Sequence, residues 1–203
     1  PTGPTENMVL SEVVAPRPGP GEVLIGVAFG GCNFADTMMR RGIYPHPKVY
    51  PLVAGIEVAG RVIGLGAGVT SFGIGDRVAA FCEDAGGFAE QCVAPAERLV
   101  RIPDAMGLDV AAAFLIQGLT AWHLLRTSTH LAAGESVVVH AAAGGVGTLA
   151  VQLAKAWGAG TVIGVASSPE KRQLATDLGA DVTVDAAEPD LKAALKAAIK
   201  EDQ

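Results

Sequence analysis

The chain has 203 residues, half of them apolar, which is enough for one large domain or two small ones with a sizeable core. Charged residues make up 18% and the formal net charge is −6, so the basic footprint of a nucleic-acid-binding protein is absent. No membrane span is expected, because the uncharged run 110–125 is short and interrupted by Gln117, Gly118, Trp122 and His123, and the run 136–154 holds a glycine turn; without a basic-then-apolar leader, a cytoplasmic protein with Cys32, Cys82 and Cys92 reduced is the expectation.

From residue 21 to residue 99 the chain is rich in glycine, with short apolar runs between turn residues: Val23 to Ala28, Val58 to Ile63, Arg77 to Phe81 and Phe88 to Val93. This punctuation predicts a compact, partly closed β-structure with one short helix over Phe34 to Arg41. Two helical segments, Asp109 to Ile116 and Leu119 to Arg126, are expected to bridge to a second region. The domains are placed at 1–105 and 106–203, with the boundary between Leu99 and Ala112. The second region opens on Val137, Val138, Val139 and His140, a β-branched run typical of buried parallel strands. A turn comes next, then a helix from Gly145 with Val146, Leu149, Ala150, Leu153 and Trp157 on one face. Thr161 to Ala166 reads as a strand, Ser168 and Pro169 as an N-cap and first helical residue, and Gly179 as a C-cap. Val182 to Asp185 is a third strand, and Pro189 starts a helix with Leu191, Leu195 and Ile199 on one side. Three β-α units in succession predict an α/β fold with a doubly wound parallel sheet.

Ala142, Gly144 and Gly147 occupy the small-residue positions of a G-x-G-x-x-G fingerprint, with alanine at the first, and Gly145 and Val146, where the helix opens, are counted with them as cofactor contacts. The first position turns out of the strand, the second lets phosphate oxygens approach the backbone, and the third brings the helix close to the sheet. The helix start points free amides and a partial positive charge at an anion. Small residues also gather in ordinary turns, so the weight rests on the strand before and the helix after. An NAD ribose is commonly met by an acid about 20 residues past the turn. Here Ala166, Ser167 and Ser168 stand there, with Lys171 in the next helical turn. Hydroxyls, a helix start and an ammonium suit a 2′-phosphate, which favours NADPH. Ser168 as a plain N-cap and Lys171 as a solvated residue are compatible with that role.

Five motifs in order carry a resemblance: Gly-Cys-Asn-Phe-Ala-Asp at 31–36, Gly-Ile-Glu-Val-Ala-Gly-Arg-Val at 55–62, Gly-Asp-Arg-Val at 75–78, Gly-Leu-Thr-Ala at 118–121 and Ala-Ala-Gly-Gly-Val-Gly at 142–147. Together they resemble the zinc-free quinone oxidoreductase branch of the medium-chain dehydrogenase/reductase superfamily, the zeta-crystallin-like branch. The resemblance implies a GroES-like catalytic domain ahead of a partial Rossmann domain, and NADPH-dependent reduction of quinones or α,β-unsaturated carbonyls. It implies no metal, since Asn33 and Ile56 stand where zinc-dependent relatives carry ligands; Cys32 without a partner cannot build a tetrahedral site. Charge developing on the substrate oxygen would then be met by hydrogen-bond donors. Asn33 and Tyr44 are the candidates by family position, with Thr120 at the nicotinamide and its ribose, and Asn33 counted among the cofactor contacts. Asp36 and Arg40 would lie beside them, and Glu57 would organise the domain interface. The structural alternatives are a helix cap for Asn33, packing with Pro45 and Pro47 for Tyr44, and an i,i+4 pair for Asp36 and Arg40. Met38 and Ala186 replace tyrosines found in some relatives.

The resemblance further implies three more strands after the third β-α unit, a homodimer for the full-length protein, and a small-molecule quinone or enone substrate. Without the fourth strand half the nicotinamide pocket is lacking, and the expectation is a fragment of a longer reductase rather than a natural short form. Two other functions share these motifs. One is a protein that holds NADPH without turnover. The other is an enoyl-thioester reductase, for which Arg40, Arg41 and Lys48 could form a basic groove.

Overall fold

Val23 and Ile25 point inward from β1 (Glu22–Gly31), which lies between β4 (Gln91–Pro95) and β2 (Glu57–Leu65). The sheet continues through β3 (Arg77–Phe81) to β5 (Leu99–Arg101), all pairs antiparallel. Register shifts at Leu24/Ile25 and Val27/Phe29 bend β1 against β2. The inner faces enclose Val23, Ile25, Val58, Val62, Val78, Cys82 and Cys92. The computed structural model describes residues 2–45 and 50–200, so Lys48 and Pro47 lie outside the described residues.

Helix α1 (Phe34–Arg41) spans the expected residues and ends at Gly42, whose φ of 73° supplies a left-handed C-cap. Three sequence expectations shift. Strand β4 begins at Gln91, because Phe88 leaves the ladder to pack on glycine: a Cβ at Gly55 would come within 2.5 Å of its ring. Strand β5, only three residues long, carries no pattern of its own. The bridging helices are α2 (Leu108–Ala112) and α3 (Leu115–Trp122), the latter running into a wider π-type turn over His123–Ser128. The break falls at Ala113 and Phe114, and Gly118 is buried inside α3. Ala111 and Ala112 pack with Ala59, Ala79 and Ile102 of the first sheet region. Bare Gly31 permits this, since a Cβ there would reach 1.9 Å from the Ala112 carbonyl oxygen. Compact units accordingly run Pro1–Ile116 and Gln117–Gln203, with α2 belonging to the first.

The second unit is a parallel sheet in the order β6 (Val137–His140), β7 (Val162–Ala166), β8 (Val182–Asp185). Helix α4 (Gly145–Ala156) buries Ala150, Val151 and Ala154 in one cluster with Val139, Val162 and, from α5 (Pro169–Asp177), Ala175. Helix α6 (Leu191–Lys200) packs in a separate cluster with Ile163, Val165 and Val184. It starts after Asp190, whose carboxylate accepts the Ala193 amide at 2.9 Å, and not at Pro189. Strand–helix alternation with cores on both faces is the expected partial Rossmann architecture.

Candidate cofactor and substrate sites

In the second unit, β6 ends at His140 and the chain turns through Ala141, which takes a left-handed φ of 51°. The strain therefore sits one residue before Ala142, the position assigned to it from the fingerprint. Ala142 is fully buried and donates its amide to the Val165 carbonyl at 3.0 Å, so it extends the β6–β7 ladder and packs beneath the turn. Its methyl lies against β7, where a Cβ at Gly164 would meet it at 3.2 Å.

The three glycines differ in why they are glycine. A Cβ on Gly147 would come 2.2 Å from the Ala141 carbonyl oxygen and 2.8 Å from the Ala142 Cα, so this position is required by helix–turn packing. At Gly145 a Cβ would meet Gln117 Oε1 at 2.3 Å. Gly144 has φ −83°, a conformation other residues adopt, and a Cβ there would come 3.2 Å from the Ala141 carbonyl oxygen, a tight contact but far milder than the clash at Gly147. Glycine at 144 thus serves the open side of the turn. The Thr148 amide donates to the Gly144 carbonyl at 2.9 Å, while the amides of Gly145, Val146 and Gly147 find no acceptor among the described residues. Open donors beneath a position kept bare on its outer side fit a diphosphate.

At the end of β7, Ser167 is exposed and Ser168 caps α5, its Oγ accepting the Lys171 amide at 3.3 Å. Lys171 is exposed and makes no ion pair among the described residues. Two neighbours escape a reading of the sequence. Arg172 donates to the Ala166 carbonyl at 3.2 Å and pairs with Asp185 at 2.8 Å, which places a guanidinium at the same strand ends. Glu170 is held below the usual carboxylate range, first by the Ser168 hydroxyl, and brings a negative charge to that turn. Ala186 is exposed and donates its amide to Ala166. Thr120 is exposed on α3.

In the first unit Asn33 is the N-cap of α1, as its structural alternative requires, but it is more than a cap. Its backbone amide donates to Asp36 Oδ2 at 2.7 Å, while its side-chain Nδ2 donates to Glu57 Oε2 at 2.8 Å. Glu57 Oε1 in turn accepts the amide of Ile116 at 2.8 Å, near the start of α3. Asn33, Asp36 and Glu57 are all buried, Glu57 completely. Glu57 therefore makes its bonds within the first unit, tying α1, β2 and the chain after α2 together. Burial raises the carboxyls of Asp36 and Glu57 above their ordinary range; backbone amides around Asp36, and Asn33 and Ile116 around Glu57, oppose the shift. Asp36 does not pair with Arg40, whose guanidinium donates to the Gly3 carbonyl. Tyr44 is partly exposed in the bend after α1 and makes no hydrogen bond among the described residues. The structure thus joins Asn33 to Asp36 and Glu57 and leaves Tyr44 apart from that cluster.

Among the described residues no three His, Cys, Asp or Glu side chains gather as a metal site. Cys82 and Cys92, distant in the pattern of the sequence, bring their sulfurs to 3.9 Å inside the first core; the contact with Cys82, together with burial, pushes the Cys92 thiol up and keeps it protonated. No described helix is long and apolar enough to cross a membrane.

An antiparallel five-stranded β-unit followed by a parallel βαβ unit with a glycine turn defines a two-domain dehydrogenase architecture, GroES-like then Rossmann-like. Residues 19–104 match the alcohol dehydrogenase GroES-like domain and residues 145–203 match the zinc-binding dehydrogenase family. A quinone oxidoreductase of Pseudomonas aeruginosa is 46% identical over 169 residues, covering 83% of this chain and 51% of its own. A 2-haloacrylate reductase of Burkholderia is 40% identical over 187 residues, covering 90% of this chain and 56% of its own. A mycobacterial protein solved in complex with NADPH superimposes with a TM-score of 0.91 at 38% identity, over 99% of this chain and 61% of that one. The chain belongs to the medium-chain dehydrogenase/reductase superfamily. It spans about half the length of the curated relatives it matches.

Proposed function

We propose that the full-length protein is an NADPH-dependent, zinc-independent oxidoreductase that reduces quinones or α,β-unsaturated carbonyls. The observation that carries the reading is the turn at Gly144: three amides open beneath a position kept bare on its outer side, with no carboxylate at residues 166–168 to receive a free ribose 2′-hydroxyl. NADPH, when bound, supplies the hydride. The amides of Gly145, Val146 and Gly147 receive the diphosphate, and Ser167, Ser168 and Lys171, with Arg172 beside them, receive the 2′-phosphate. Asn33 and Tyr44 are assigned as donors to the substrate oxygen, and Thr120 to the nicotinamide ribose. Without a Lewis acid such donors carry the stabilisation of developing charge. The similarity to a quinone oxidoreductase and to a 2-haloacrylate reductase supports a substrate with an activated double bond. A cytoplasmic homodimer belongs to the same proposal.

Full-length protein should consume NADPH with a simple quinone or enone, unaffected by chelators; chelator-sensitive alcohol oxidation would contradict the assignment. One observation favours a second reading, NADPH binding without turnover. Asn33 already gives a side-chain hydrogen to Glu57, which leaves fewer donors for a substrate. Titrating NADPH fluorescence while following its consumption across an acceptor panel, acyl thioesters included, separates the readings.

A further inference from the structure

Gln117 lies in the first half of α3, 28 positions before the residue it touches, and no fingerprint includes it. Its carboxamide rests on Gly145, the first residue of α4, so closely that a Cβ there would fall 2.3 Å from Oε1, 2.6 Å from Cδ and 3.0 Å from Nε2. Gln117 is partly buried as a residue, and its carboxamide, which solvent reaches, has no hydrogen-bond partner among the described residues. Both its donors and its acceptor are thus uncommitted beside three uncommitted backbone amides. A partly buried amide without a partner is costly unless a ligand or solvent satisfies it. A side chain at Gly145 would displace the Gln117 carboxamide from this place.

We propose that Gln117 is a further binding residue for the diphosphate, its Nε2 donating to a phosphate oxygen held by the Gly145–Gly147 amides. The inference rests on the NADPH reading above and adds a donor that comes from outside the βαβ unit. A helix start alone grips any small anion; a lateral donor fixed on α3 favours an extended dianion whose second phosphate lies beyond the first turn. Fixing Gln117 to one side of the turn also selects the direction in which the diphosphate leaves it.

The test uses the full-length protein, with NADPH and 2′-AMP as separate probes followed by fluorescence or calorimetric titration. The second probe carries the phosphorylated ribose and lacks the diphosphate. Gln117→Met keeps length and packing and removes the donors; Gln117→Glu keeps the shape and supplies only acceptors. Both should weaken NADPH by roughly ten- to a hundredfold, the Glu variant more, with 2′-AMP affinity and the melting temperature of the free protein unchanged. Wild-type affinity for NADPH in both variants would overturn the inference while leaving the cofactor reading intact. Absence of NADPH binding by the wild type would overturn that reading, and the role of Gln117 with it. A variant that loses both probes together, or melts well below the wild type, would show Gln117 to be packing only and equally overturn the assignment.

Discussion

The two units build their polar centres in opposite ways. In the second, the polar groups are backbone amides at one strand–helix junction, within residues 141–148, with no acceptor among the described residues. In the first, the polar centre is buried: the Asn33 side chain donates to Glu57, Glu57 accepts the amide of residue 116, and Asp36 Oδ2 accepts the Asn33 backbone amide, with Glu57 wholly buried. An open backbone site is cheap for the fold to maintain, because water satisfies its amides when the ligand is away. A closed cluster of buried carboxyls stabilises only while every bond is made, so it constrains sequence more tightly there than at the turn.

Breaking the closed cluster should have the largest effect. Glu57→Ala removes the carboxylate that accepts from Asn33 Nδ2 and from the Ile116 amide and opens a cavity, and about 3 kcal/mol or more of stability should be lost in urea unfolding. Retention of wild-type stability would mean that the cluster is not what holds α1 to β2.

The glycines sharpen the contrast within the open site. Gly147→Ala must push α4 away from Ala141 and Ala142, at a cost of about 2 kcal/mol. Gly144→Ala fits its conformation and should change stability by less than about 1 kcal/mol, yet weaken NADPH about tenfold or more. Thermal unfolding beside NADPH titration reads both; equal effects of the two substitutions on stability would contradict the separate reasons given for each glycine.

The closed cluster also predicts a pH dependence. Asp36 and Glu57 have carboxyls raised by burial above the ordinary 3.8 and 4.5. Their folded state favours the protonated form, so the stability they contribute is complete below the ordinary carboxyl range and drains as pH rises through the raised values. Glu57→Gln does not titrate and should gain on the wild type as pH rises from about 4.5, by at most roughly 1.4 kcal/mol per pH unit. A pH-independent difference between the two proteins would remove this assignment.

Smaller effects are expected where the open site meets solvent. Lys171→Ala should weaken NADPH roughly three- to tenfold and leave NADH unchanged, and Glu170→Gln should shift the ratio toward NADPH by a smaller factor. Ser168→Ala removes a long, exposed cap bond and should cost about 0.5–1 kcal/mol.

The legibility of the sequence divides along the same line. The βαβ unit is legible because its determinants are local: β-branched runs, Ser168–Pro169 at a helix start and Gly179 at a helix end all act within a few residues. Helix α1 is legible for the same reason, Asn33 and Gly42 marking its ends. The break between α2 and α3 is not, because the amide near the start of α3 is met by Glu57, a residue 59 positions away. The pattern of apolar residues starts strand β4 three residues too early, because Phe88 satisfies a tertiary glycine gap rather than a strand pattern. Family position singles out Asn33, but its partnership with Glu57, the pairing of Arg172 with Asp185 and the contact of Gln117 with Gly145 join segments that no short window contains.

The amide resonances of Gly145, Val146 and Gly147 in the full-length protein, followed as NADPH is added, report on whether a diphosphate occupies the turn. Saturable shifts of these amides together with those of Ser168 and Lys171 are expected, while Asn33's neighbour Asp36 keeps its bonded amide partner. Binding of NADPH that leaves Gly145 to Gly147 unshifted, or no binding at all, would contradict the assignment.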